Sequence, residues 1–310
     1  MLFSTPKIEL TGELEKIDQI TNQLCEYAQG YNSRCVIILD PFISPFKDAI
    51  FQYFFDKNRI TQVQISHPAV RAWQRPLLIA LNLNNNFERD VLRYTVDKSL
   101  IELSPQILGK GGKRHYSGWI FTHATTQQIA DDFDMLSIQK VSHGKLLLRF
   151  YDPAVLPQLL FILEPRQQIK LCGRIKRWAL LDGNGDLFCH HNTADPCPVY
   201  VGLLGITRRL EDRLYCIGIN NQVIKAYRKD HPTKKINECE MLNHLMPCLL
   251  RLMSQGFKDN ELLVEWAKIA IDHGANFDLH PQIQEKLKTM KTRYDFPALL
   301  NLIKQSDWSF

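Results

Sequence analysis

The sequence predicts a two-part molecule: an α/β N-terminal lobe, a mixed sheet with flanking helices, over residues 1–200, and an all-helical C-terminal lobe over 201–310. Three observations carry this. Short apolar, β-branched runs alternate with helical spacings through the first part of the chain. After Pro198 strand-like runs almost vanish and helical periodicity takes over. The chain has 310 residues, 45% apolar and 23% charged, which is the make-up of a folded protein large enough for one big domain or two smaller ones.

Taken in order, Glu13 to Tyr27 places Leu14, Ile17, Ile20, Leu24 and Tyr27 on one helical face, and Gly30 ends it. Cys35-Val36-Ile37-Ile38-Leu39 reads as a buried strand stopped by Asp40-Pro41. Ser44-Pro45 is an N-cap followed by proline at the first helical position, so a helix is expected to about Phe55. Val63 to Ile65 and Leu77 to Leu81 are weaker strands, and a helix follows from about Phe87 to Ile101. Gly109 to Arg114 is a glycine-lysine loop, Trp119 to Phe121 a strand, and Thr126 to Leu136 a helix. Leu146 to Tyr151 reads as a strand apolar on both faces except for Arg149, followed by a helix capped by Asp152-Pro153 and running to Ile162. A hairpin from Trp178 to Phe188 turns at Asp182-Gly183-Asn184-Gly185. Beyond Pro198, helices are expected at 207–216, 219–229, 238–253, 260–273, 281–290 and 297–304.

Composition argues against several classes. Lysine and arginine total 38 against 33 acidic residues, a net charge of +5 spread thinly, with no basic tail of the kind that strips counterions from DNA. Met1 to Lys7 lacks the basic and apolar regions of a signal peptide, and no run is long enough to span a membrane, so a cytoplasmic location is expected. The eight cysteines form no CxxC pair and are read as reduced, mostly buried thiols.

The candidate chemistry is thin. The loop at Gly109 to Arg114 lacks P-loop spacing. Asp182 to Asp186 starts like a calcium loop, but Leu187 and Thr193 stand where glycine and glutamate are needed. Cys189, His190, His191 and Cys197 lack paired zinc-ligand spacing, so no metal is expected. No cofactor motif and no GxSxG or HExxH motif occurs. His67, His115, His123 and His143 have no nucleophile signature near them, and the residues make no case for an enzyme. The basic positions Arg166, Lys170, Arg174, Lys176 and Arg177 offer the alternative reading, a nucleic-acid-binding protein using residues 166–177, set against an ordinary solvated face. Leu262, Trp266 and Ile269, and Leu299, Leu302 and Ile303, form apolar helical stripes that serve either as core or as partner anchors.

One internal echo stands out: Asp40-Pro41-Phe42-Ile43-Ser44-Pro45 and Asp152-Pro153-Ala154-Val155-Leu156-Pro157 share the form Asp-Pro-x-apolar-x-Pro. Arg149, alone in an apolar run, needs a charge partner, and Asp152 and Asp40 are the nearest candidates.

Gly118-Trp119, then Leu148-Arg149-Phe150-Tyr151-Asp152-Pro153, then Gln168 and Gly173 through Trp178, with the earlier Ile38-Leu39-Asp40-Pro41, resemble the bacterial type VI secretion adaptors, or effector chaperones, a family built on a domain of unknown function. The resemblance covers roughly residues 34–190. Two positions depart from the family pattern: Leu148 replaces an aromatic residue, and Ala154 stands where arginine is common. What the resemblance implies is a non-enzymatic adaptor that holds a secreted effector and loads it onto the trimeric spike (VgrG-type) protein. The N-terminal lobe would engage the spike, and the variable helical lobe the effector. It makes Asp40, Trp119, Arg149, Phe150, Tyr151, Asp152, Pro153, Gly173 and Trp178 the motif and partner-binding candidates, and the six apolar residues of the helical lobe the effector-binding candidates.

Overall fold

The computed structural model describes residues 10, 12–42, 48–109, 114–142, 144–194, 202–289 and 296–305. The chain divides into two compact units, Met1–Ile206 and Thr207–Phe310.

In the first unit, α1 (Leu14–Gln29) leads to β1 (Arg34–Leu39), a 3-10 turn at Ala49–Phe51 and α2 (Gln52–Asp56). Then come β2 (Ile60–Gln62), β3 (Leu77–Asn82), α3 (Asn86–Glu102), α4 (Pro105–Gly109), β4 (Tyr116–Phe121) and α5 (Thr126–Ser137). The hairpin β5 (Ile138–Val141) and β6 (Gly144–Leu147) follows, then α6 (Leu156–Ile162), α7 (Pro165–Cys172), β7 (Arg177–Leu181) and β8 (Leu187–His191). Six strands form one sheet in the order β2-β3-β1-β4-β7-β8. Each of its ladders is antiparallel, which narrows the expectation of a mixed sheet.

The sheet is covered on both faces, which is why β1 is apolar at consecutive positions. Cys35, Ile37, Leu39, Trp119, Phe121 and Ala179 join one core cluster with Ile17 and Leu24 of α1 and Val91 and Val96 of α3. Val36, Ile38, Ile120, Trp178 and Leu180 alternate to the opposite face and are also buried. There Phe133 of α5 stacks on Trp178 at 5.5 Å. Gly118 is required where β4 meets β7: its φ is +140°, and a Cβ would lie 2.3 Å from the Ala179 carbonyl.

The elements described in the second unit are all helical: α8 (Arg208–Asp230), α9 (Glu238–Ser254), α10 (Asn260–His273), a 3-10 turn at Phe277–Leu279, α11 (Pro281–Thr289) and α12 (Phe296–Gln305). Side chains of Thr207, Asn237 and Asp259 cap α8, α9 and α10 by accepting from Leu210, Glu240 and Leu262 amides. Trp266 is fully buried at the centre, with Phe277 at 4.7 Å and Phe296 at 5.4 Å. Arg251 clamps Asp278 through two bonds of 2.6 and 2.7 Å.

Several local expectations are corrected. The strand expected at Val63 to Ile65 lies earlier, at β2. The strand expected through Tyr151 ends at Leu147, opposite Ile138, where its partner β5 begins. The Leu148 amide makes one further bond, to the Ser137 carbonyl at the end of α5 at 2.8 Å, and the chain then turns at Arg149 to Asp152. The helix after it starts at Leu156, with Val155 rather than Asp152 at its N-cap. Two expected helices fuse into α8, since Gly218 weakens a helix interior without breaking it and the buried stripe of Cys216, Ile217, Asn220, Val223 and Ile224 runs straight past it. The short α7 and β5 carried too little periodicity to be read. The start of the helix expected at Ser44-Pro45 lies outside the described residues; from Ala49 the chain forms the 3-10 turn and α2.

Candidate functional site

The two Asp-Pro elements of the sequence echo meet at one guanidinium. Arg149 Nη2 donates to Asp40 Oδ2 at 2.5 Å and lies 3.2 Å from Asp152 Oδ2. Each aspartate also accepts from the amide two residues on, Phe42 for Asp40 at 3.0 Å and Ala154 for Asp152 at 2.9 Å. Both therefore form the same side-chain-closed turn, which is what an aspartate before proline favours. Phe42 lies under the guanidinium, its ring centre 4.4 Å from the Arg149 carbon. One cation thus ties the end of β1 to the turn before α6, across 109 residues of sequence.

Burial and charge act against each other here. Asp40 is almost fully buried, and desolvation pushes its carboxyl above the usual carboxylate range against the pull of Arg149. Burial would lower Arg149, but Asp152 and Asp40 outweigh it and hold the guanidinium charged. The Arg149 and Asp152 side chains keep 22% and 20% of their surface exposed, so the network is reachable at one edge. Beneath it, Phe133, Phe150, Tyr151 and Trp178 pack as an aromatic cluster, with Phe150 edge-on to Phe133 at 4.9 Å and Tyr151 stacked on Phe133 at 6.0 Å. Pro153 is buried beside them. Among the described residues, Trp178 Nε1 is buried without a hydrogen-bond partner. Burial raises the Tyr151 phenol, and Asp40 adds to it.

Other candidates fall elsewhere. Trp119 belongs to the opposite face of the sheet, where its Nε1 donates to Thr95 Oγ1 at 3.0 Å, so it is a core residue apart from the network. Gly173 ends α7 with φ +51°. Leu262, Trp266, Ile269, Leu299 and Ile303 are all buried in the helical unit, which is the core reading of the two that the sequence left open: the stripes face inward. The side chain of Leu302 lies outside the described residues, as do Cys197, His143 and most of the glycine-lysine loop.

The basic stretch does not present one face. Arg174 pairs with Asp132 of α5, Arg177 lies over the Tyr27 ring of α1 at 4.9 Å, and Lys176 donates to the Ala194 carbonyl at 2.7 Å. Because α1 and α5 cover opposite faces of the sheet, these charges point apart. Strand alternation likewise sets His190 on the other face of β8 from Cys189 and His191. Among the described residues, no group of three or more His, Cys, Asp or Glu is placed to hold a metal ion. His115 is held by Glu102 at 2.7 Å, His67 closes a local turn with the Ala69 amide, and His123 packs on Tyr31 at 5.2 Å. Asp182 accepts from the Asn184 and Asp186 amides and so acts as a hairpin-turn residue. Burial pushes the Cys216 and Cys248 thiols up to about 12, leaving them unreactive at neutral pH.

Phe42 and Phe133 are the site residues that sequence reasoning passed over. The signal for Phe42 lay in the echo itself, and for Phe133 in the apolar face of α5. No family model, no curated protein and no solved structure matches the chain. No helix among the described residues is long and apolar enough to cross a membrane.

Proposed function

We propose that the protein is a cytosolic, non-enzymatic adaptor that binds a type VI secretion effector and loads it onto the spike protein. The observation that supports this reading is the Asp40–Arg149–Asp152 network: the residues that carry the family resemblance, distant in sequence, are assembled around one cation above the Phe150, Tyr151 and Trp178 cluster. A rigid turn whose charged edge stays exposed is a suitable platform for a partner surface, because its side chains lose little freedom on binding. The N-terminal unit is assigned the spike and the helical unit the effector, as the resemblance implies.

The test is co-expression of the full chain with the spike and effector candidates encoded beside its gene. A stoichiometric complex that survives moderate salt is expected, and Asp152→Asn should weaken spike capture while leaving the melting temperature near wild type. Folded protein that captures neither neighbour, but binds DNA with a steep salt dependence, would replace this reading with the nucleic-acid alternative.

A further inference from the structure

The helical unit contains a cavity of about 320 Å³ that no part of the motif network touches. Its apolar lining is Ile236, Met241 and Ile271, of which Ile236 is buried. Beside this lining stand a hydroxyl and two cations, Tyr227, Lys234 and Lys235, with the neutral Asn237, with His244, and with Glu240 as the single anion among the described lining residues. Lys234 Nζ donates to the Tyr227 hydroxyl oxygen at 2.6 Å and lies 5.2 Å from the centre of its ring. Since that oxygen accepts the lysine proton, the phenol's own hydrogen is left to donate. His231 packs against the same ring at 4.5 Å and fixes its position.

Cations and a hydroxyl donor next to an apolar lining suit a carboxylate borne on a short aliphatic body. The volume is at the bottom of the range for ligand pockets, roughly 300–1,000 Å³, and Lys234, Lys235 and Glu240 stand at its exposed edge, so it has room for one small ligand of amino-acid size entering from the surface. In an α-carboxylate residue the charged group and the aliphatic side chain share one carbon, so both reach their partners in a cavity this small. We propose that this cavity binds an aliphatic α-carboxylate of leucine size. Lys234, Lys235 and Tyr227 take the carboxylate, and Ile236, Met241 and Ile271 take the side chain. Two sources share that chemistry, a free amino acid and the C-terminal residue of a peptide. Glu240 separates them, because only the free amino acid brings an ammonium group to pair with it. Nothing in this site depends on whether the protein is an adaptor.

The experiment is calorimetric or NMR titration of the full chain with leucine, N-acetyl-leucine and N-acetyl-leucinamide. Both carboxylates should bind, and the neutral amide should be about tenfold weaker or worse. Lys234→Met and Lys235→Met, at exposed positions, should each weaken carboxylate binding about tenfold with an unchanged melting temperature. Leucine binding more tightly than N-acetyl-leucine, with the advantage lost in Glu240→Gln, identifies the free amino acid. Equal or tighter binding of N-acetyl-leucine identifies the peptide terminus. An amide that binds as well as the acids, lysine variants that bind like wild type, or no binding by any of the three at about 20 mM, where even a millimolar site would be filled, overturns the proposal.

Discussion

Arg149 shows how a single residue organises a site. It faces two carboxylates, one buried and one at the surface, and the two contribute differently to stability. Removing Asp40 leaves a largely buried guanidinium short of its closest partner, so Asp40→Ala should destabilise by about 3 kcal/mol or more in urea unfolding. Removing Asp152, a fifth exposed, loses a screened ion pair and one turn hydrogen bond, and should destabilise by about 1 kcal/mol. If the two variants were equally destabilised, the buried pair would not be the anchor. His190 gives a pH prediction. Burial, with His191 adding to it, depresses its pKa below the ordinary value, so the folded state binds this proton less well than the unfolded chain. The stability it contributes is full above about pH 6.5 and is lost as pH falls through the folded value. Unfolding midpoints between pH 7.5 and 5.5 should therefore decline with acid, and His190→Gln should flatten that slope.

At the level of elements, two glycines separate backbone need from backbone tolerance. Gly118 sits at φ +140° with the Ala179 carbonyl 2.3 Å from where a Cβ would be, so alanine there has to push β4 off β7. Gly118→Ala is expected to destabilise by about 3 kcal/mol or to prevent soluble expression. Gly218 lies on the exposed side of α8 with nothing within 4 Å of a built Cβ. Gly218→Ala should stabilise by about 1 kcal/mol, the helix-propensity difference. Thermal melts of the two variants, shifting in opposite directions, check both. The elements legible in the sequence were those with long or clean patterns: α1, β1, α3, α5, α9 and α10 lie within a few residues of expectation. The short pieces β2, β5 and α7 were misplaced or missed, because so few residues carry hardly more than one period of either pattern.

For the whole molecule, the change of texture after Pro198 corresponds to a division at Ile206 and Thr207. The helical unit has its own buried centre around Trp266 and its own charged clamps at Arg251–Asp278 and Arg228–Glu238. A fragment of residues 207–310 should therefore keep a helical circular-dichroism spectrum and a cooperative melt; a flat, non-cooperative trace would show that its core is incomplete. On the proposed division of labour, this fragment retains effector capture and loses spike capture, and loss of both from a folded fragment counts against it.

The sequence by itself determined the fold class, because apolar periodicity is a local property that burial on one or two faces imposes on each element. It also marked Arg149 as a charge in need of a partner, with Asp152 and Asp40 the nearest candidates, since an ionised group in an apolar run has to be paired wherever it lies. Only the tertiary structure decided that both aspartates serve the same arginine, that Trp119 and Trp178 lie on opposite faces of one sheet, and that the stripes through Trp266 and Leu299 face inward. Each of these depends on which distant segments are brought together, and a helical or strand pattern states that a face is buried without stating against what.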